Sequence, residues 1–349
     1  MSTFYSGAGS KLAAGLQTNY FNNSATDVDV KLNITSATFD PTVEKGSEET
    51  LLQSKIKNGS YLLSIGMDGS FDSNLRPEMT DWIFRASTQN STAISSSDSG
   101  WNDATDSLSV PAGYKGYAYT LKAAGNDPIG STLVLTKGTD QRTTYPAMTV
   151  RSLTLTAPNN DFVTASCDLV GREEIKGSNS SAIPSGAVPA TTYVAKTDTA
   201  ADYTKPSYIV TNGVFKWNGS EWCIESSTLT IDNGIEDSPR CYQDGKYANI
   251  PVMGMRSVTF DFNTPYDGRI ETLKEDYLLT SQYGSAEVTF TSPDDADEKV
   301  IVRIPNLSIT SVGAGISGTG VIDASVSGEA VYDNGEEPLT IIVITKETL

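Results

Sequence analysis

Cysteines and carboxylates are the side chains whose spacing is read first for chemistry here, because none of the 349 residues is a histidine. That absence removes Ser-His-Asp and Cys-His catalysis, together with the commonest zinc ligand. The three cysteines, Cys167, Cys223 and Cys241, show no CxxC spacing and read as free thiols of a reducing cytoplasm, neither a disulfide framework nor a zinc site. Paired carboxylates can hydrolyse glycosides, yet no spacing of Asp and Glu singles out a pair. The densest acidic run, PDDADE from Pro293 to Glu298, lacks the regularity of an EF-hand loop and reads as a solvated turn. No catalytic residue, metal site or cofactor is expected, and the chain does not read as an enzyme. Trp101, Trp217 and Trp222 lie in or beside loops. They could stack on sugars, so a β-sandwich carbohydrate-binding or adhesin module is the alternative, although such rings more often bury at interfaces.

The charge balance narrows the partners. With 43 acidic and 25 basic side chains the net charge is −18, which opposes binding to the outside of DNA or to anionic membranes. Solubility explains such an excess, and so does a surface that must not hold a polyanion. No apolar run is long enough to cross a bilayer. The opening MSTFYSGAGSKLAAGLQTNY has one lysine and no apolar core, so a secretory signal is not expected. Triplets such as Asn58-Gly59-Ser60 then read as products of composition.

The elements that must position these groups are mostly strands. DVDVKLNIT alternates Val28, Val30, Leu32 and Ile34 with Asp27, Asp29, Lys31 and Asn33, the period of a half-buried strand. Strand signals continue through Ser64–Phe71, YAYTL, STLVLTK, RSLTLT, FVTASCDLVG, GVFKW, STLTIDNGIED and SVTFDF, then AEVTF, KVIVRI, NLSIT, GVIDASVSGE and LTIIVIT. RSLTLT and FVTASCDLVG flank the turn APNND and predict a hairpin. The stretches 41–53, 87–106 and 232–245 read as long polar surface loops.

Two segments carry helical spacing. RPEMTDWIFRAS places Pro77 at a helix start, with Met79, Trp82 and Ile83 on an apolar stripe. GRIETLKEDYLL repeats that stripe with Ile270, Leu273 and Tyr277. Both stripes are expected to cover a sheet, as core. Phe71 matches Tyr266 and Leu75 matches Ile270, each 195 positions on. Element order also repeats, from strand through acidic loop, strand, helix and hairpin to closing strands. The expectation is a mainly β chain of two tandem β-sandwich domains, each with one flanking helix. Boundaries fall at an N-terminal arm 1–26, a first domain 27–174 with a loop insertion 87–113, a linker 175–208, and a second domain 209–349.

The ordered succession Leu75-Arg76-Pro77, then YPAMTVRSLTLTAPNNDFVTASCDLVGREE, then Asn233-Gly234-Ile235-Glu236 and Gly254–Val258 resembles the tail tube proteins of long-tailed bacteriophages. The resemblance covers the stretch from Val28 to Ala330. It implies sandwiches joined side by side into rings that stack as a tube, without catalysis. A duplicated member would use three copies in a pseudo-sixfold ring, in a non-contractile tail, with the inner tube of a contractile tail or injection device as the variant. Implied partners are further copies of the chain, a tape measure protein, tail terminator and tip proteins, and viral DNA that passes without specific binding. The implied location is the virion tail, assembled in the host cytoplasm, with no membrane spanning. A negatively lined lumen would repel phosphate. Asp27, Asp29, Asp68, Asp72 and Asp261 are the candidates to line it, and any of them could equally face outer solvent.

Overall fold

The structure, a computed structural model, describes residues 10–17, 28–48, 58–94, 110–121, 128–137, 141–176, 180–182, 192–194, 204–236, 251–315, 322–333 and 335–346. The first strands are β1 (Lys11–Leu16), β2 (Val30–Leu32), β3 (Ile34–Glu48), β4 (Asn58–Asn74) and β5 (Thr92–Ile94). Then come β6 (Lys115–Thr120), β7 (Ser131–Lys137), β8 (Gln141–Ala157), β9 (Thr164–Gly171) and β10 (Ile175–Lys176). A small hairpin of β11 (Ser180–Ala182) and β12 (Thr192–Val194) leads to the second half. There lie β13 (Gly213–Trp217), β14 (Ser220–Trp222), β15 (Ser226–Asp232), β16 (Ile235–Glu236), β17 (Val252–Met253) and β18 (Ser257–Pro265). The chain closes with β19 (Gly284–Thr291), β20 (Lys299–Gly315), β21 (Asp323–Ala330) and β22 (Thr340–Thr345). Helix α1 (Thr80–Thr88) is entered through a 3-10 turn at Pro77–Met79. Helix α2 (Gly268–Leu273) runs on into a π-helical turn at Lys274–Leu278.

The fold is mainly β and antiparallel. One continuous ladder runs β3-β4-β9-β8-β15-β18-β21-β20. Strands β8 and β20, each 17 residues long, serve two ladders. The N-terminal half of β8 pairs with β7 and β10, and β7 carries β1 and β2. The N-terminal half of β20 pairs with β19 and β22, and β19 carries β13 and β14. Apolar faces of these ladders meet in one core that includes Leu12, Phe71, Leu133, Leu153, Phe215, Phe260 and Ile304.

Matching bulges align the two halves. β8 is bulged between Val150 and Ser152, and β20 between Ile309 and Ser311. Positions in β8 and β9 therefore correspond to positions 159 further on in β20 and β21. Phe71 faces Cys167 as Phe262 faces Val326, which sets β4 against β18 at 191. Ala37 faces Phe71 as Ser227 faces Phe262, which sets β3 against β15 at 190. The helix corner is anchored alike, with Leu75 N donating to Val163 O and Tyr266 N to Ile322 O. Leu75 thus corresponds to Tyr266 and not to Ile270. The sequence match at 195 is displaced by four residues because helical apolar spacing nearly repeats after one turn.

Other expectations are corrected by the packing. The arm 1–26 contains β1, whose Leu12, Ala13 and Ala14 are buried. KLAAGL gave no alternating signal because β1 is covered on both faces. The loop 41–53 begins as strand, since β3 extends to Glu48, and KVIVRI and NLSIT are one strand through Pro305. The linker 175–208 contributes β10, and its buried Tyr208 donates its N–H to Leu75 O and accepts from Val163 N. PDDADE is not wholly solvated: Glu298 is buried, accepting from Lys205 Nζ at 2.6 Å and Thr345 Oγ1 at 3.0 Å.

Met79, Trp82 and Ile83 are buried, Trp82 lying 5.9 Å from the Phe71 ring. Burial of Met79 or Ile83 contributes about 1.5–3 kcal/mol each. Ile270 and Leu273 are buried, whereas Tyr277 is half-buried, edge-on to Trp217 and accepting from Asn218 Nδ2 at 2.6 Å.

Candidate functional site

The continuous ladder turns its apolar residues to the core and a different chemistry to its other face. Alternation is strict on β18, where Val258, Phe260 and Phe262 are buried and Thr259, Asp261 and Asn263 are not. Register carries that polar face across the strands. One row runs Ser36, Asp72, Ser166, Thr154, Thr230, Thr259, Glu329 and Ser308. The next runs Thr38, Ser70, Asp168, Ser152, Asp232 and Ser257. A third joins Asn74, Thr164, Thr156, Thr228, Asp261, Ser327 and Ser311.

Hydroxyls hold the carboxylates in place. Asp72 accepts from Ser166 Oγ at 2.6 Å and Ser36 Oγ at 2.7 Å, and these bonds keep its carboxyl below the usual range against the opposing effect of burial. Ser152 Oγ donates to Asp168 at 3.0 Å, and Thr42 Oγ1 to Asp68 at 2.5 Å. A cation beside these rows is Arg151, the extra residue of the β8 bulge, 3.4 Å from Asp68. Carboxylates of Asp40, Asp68, Asp72, Asp168, Asp232, Asp261, Asp323 and Glu329 outweigh it, so the face presents a negative potential.

Asp68, Asp72 and Asp261 therefore share one face. Asp29 precedes β2 on another ladder, and Asp27 lies outside the described residues. Sequence reasoning missed Asp40, Asp168, Asp232, Asp323 and Glu329, which the same alternation could have found. Trp217 is buried against Trp222 (centroids 6.2 Å apart), and the Arg269 guanidinium sits 5.2 Å over Trp222. Trp101 and Cys241 lie outside the described residues. Cys167 is buried and Cys223 exposed. Among the described residues no cluster of three or more metal-ligating side chains occurs, and no helix is long and apolar enough to cross a membrane.

The halves join where β8 pairs with β15, Leu153 facing Ile231 and Leu155 facing Leu229. All four side chains are buried. Beyond this pairing, Asn233 is fully buried and its Nδ2 donates to Ser87 O at 2.9 Å and Val150 O at 2.8 Å. Gly234 follows at φ +56°, where a Cβ would stand 2.2 Å from Met255 O. Arg256 Nη1 donates to Thr88 O at 3.1 Å, and burial pushes the guanidinium down to about 10. Asn233-Gly234 and the Gly254–Val258 run are thus the clamp on the end of α1.

Among the described residues the ladder is open at its two ends. Among the described residues β3 pairs only with β4, and the C-terminal half of β20 only with β21. Pro41 and Ala314 are exposed there, although their counterparts Ile231 and Leu155 are buried at the central junction.

A comparison with curated proteins finds no match. A family model described as "Phage tail tube protein" matches residues 7–330. An acidic, hydroxyl-lined sheet with two open edges, in a chain matched over that length, belongs to the phage tail tube protein family, a structural component of the virion tail.

Proposed function

We propose that this chain is a tandem duplication of one tail-tube unit and that three copies close into a ring whose inner wall is the acidic face. The observation that carries this reading is the pairing of β8 with β15, because each partner has a counterpart whose outer edge no described strand pairs at an end of the ladder. Carrying the register over places Val312 of one copy opposite Pro41 of the next, and Ala314 opposite Phe39. Such a contact is head-to-tail and closes when the rotation fits, removing both open edges.

Three copies of the eight-strand ladder give a barrel of about 24 strands, more than the 16–18 that already leave a water-filled channel. At about 4.8 Å per strand its circumference is roughly 115 Å before tilt. A wall rich in carboxylates repels phosphate and lets DNA pass without holding it. Stacked rings would then form the conduit for genome delivery, with a tape measure protein and terminator and tip proteins at its ends. No catalytic role is assigned. Support for the lumen assignment is the shared face of Asp68, Asp72 and Asp261.

Electron microscopy of the purified full chain tests the reading. Rings or tubes with three copies per ring are expected. A protein that stays monomeric at high concentration, or a lumen lined by basic residues, would refute it.

A further inference from the structure

Among the described residues, the polar clamp that joins the two halves has no chemical counterpart at the outer ends of the ladder. Counting from the anchors above, Val43 occupies the place of Asn233 and Ile65 that of Arg256. At the other end of the chain the π-helical turn adds one residue, so Leu279 and Thr280 stand where Ser87 and Thr88 stand at the end of α1, Thr280 Oγ1 donating to Asp276 O as Thr88 Oγ1 donates to Phe84 O. Neither Val43 nor Ile65 has a side chain that can donate to a helix-end carbonyl. Ser87 and Thr88 are fully buried beneath the second half, whereas Leu279 is 71% exposed. Asn233 is fully buried, whereas Val43 is 43% exposed. Val43, Ile65 and Leu279, which lose their cover, have therefore also become aliphatic, on both sides of the same missing contact.

We propose that Val43 and Ile65 of one copy cover Leu279 of the next, an apolar contact between copies in place of the hydrogen-bonded clamp within the chain. The proposal rests on the ring reading above, and a second copy of this chain is the partner. Two facts select that partner over an unrelated one. The patches are continuous with the open edges of β3 and β20, and their relative placement is fixed by the contact already seen between the halves. Exposed aliphatic side chains of this size are stabilised by burial in an interface. The difference in chemistry also keeps the two junctions distinct. A helix end offering carbonyls to Asn233 and Arg256 is a poor match for Val43 and Ile65, which favours correct pairing.

Paired cysteines test this in the full chain carrying Cys223→Ser and Cys241→Ser. One variant adds Val43→Cys with Leu279→Cys, and another adds Asp40→Cys with Gly313→Cys. The second pair reports edge pairing alone, at a site not hydrogen-bonded by the alternation of the ladder, where the Cα atoms approach closely enough for a disulfide. Mild oxidation followed by non-reducing electrophoresis is expected to give dimer and trimer bands for both. Bands for Asp40/Gly313 alone would keep the ring and overturn the apolar contact. Bands for Val43/Leu279 alone would keep the contact and overturn the edge register. Bands for neither would remove both. As a second measurement, Leu279→Asp leaves an exposed site in a folded chain and is expected to lower tube yield at least about tenfold. Wild-type yield from that variant would refute the contact.

Discussion

Asn233→Ala is the sharpest perturbation of the junction between the halves. The side chain is fully buried, and its amide donates to two carbonyls, one at the end of α1 and one at the β8 bulge. Each hydrogen bond is worth about 1 kcal/mol net, and a carbonyl left buried without a donor costs about 1–3 kcal/mol. Water reaching the smaller side chain's space recovers part of that, so a loss of roughly 2–4 kcal/mol is expected. With a urea m-value of about 3 kcal/mol per M, the unfolding midpoint should fall by roughly 1 M. Equilibrium unfolding followed by tryptophan fluorescence measures this, because Trp82 is a buried residue of the same helix. A shift below about 0.2 M at unchanged m would refute the clamp. Asn233→Asp sharpens the test, since a carboxylate would face two carbonyl oxygens. Burial raises the folded pKa of such an acid above its unfolded value. Its destabilisation is therefore greatest above that raised value and shrinks as pH falls through it.

Three further outcomes follow from other sites. Glu298→Ala removes the buried partner of Lys205 and of Thr345 and should cost about 3–5 kcal/mol, read as a lower melting midpoint; an unchanged midpoint would show the pair to be idle. Asp72→Asn probes the bonds from Ser166 and Ser36, which depress the folded pKa below 3.8. The stability that Asp72 contributes is complete above that value and is lost as pH falls through the folded pKa, so acid titration should bring wild type and variant together. Finally, Asp68→Lys, Asp72→Lys and Asp261→Lys combined should make assembled tubes retain short duplex DNA. Retention should weaken steeply with salt, whereas wild-type tubes retain none at physiological ionic strength; equal co-sedimentation by both would count against an acidic lumen.

Much of the architecture was legible in the sequence because period-2 alternation reports burial directly. SVTFDF reads as a strand with Val258, Phe260 and Phe262 inward, and they are buried. The helices at Thr80–Thr88 and Gly268–Leu273 were legible from apolar stripes and from Pro77. Their alignment was not, because a stripe of period 3.6 can slide by one turn at little loss, and only the strand registers fix the equivalence at 191. β1 escaped notice because a strand buried on both faces does not alternate.

What the sequence by itself determined is the class of chemistry: no histidine, sparse thiols, an acidic surplus, and alternating strands around two short helices. What only the tertiary structure decided is which carboxylates share a face and which edges lie open. Asp72, Asp168 and Asp261 belong to different strands, and only the bulge at Val150/Ser152 and the pairing of β8 with β15 bring them onto one surface. A one-residue slip would turn each of those side chains into the core. The face is a property of register, and register is set by contacts between residues far apart in the chain.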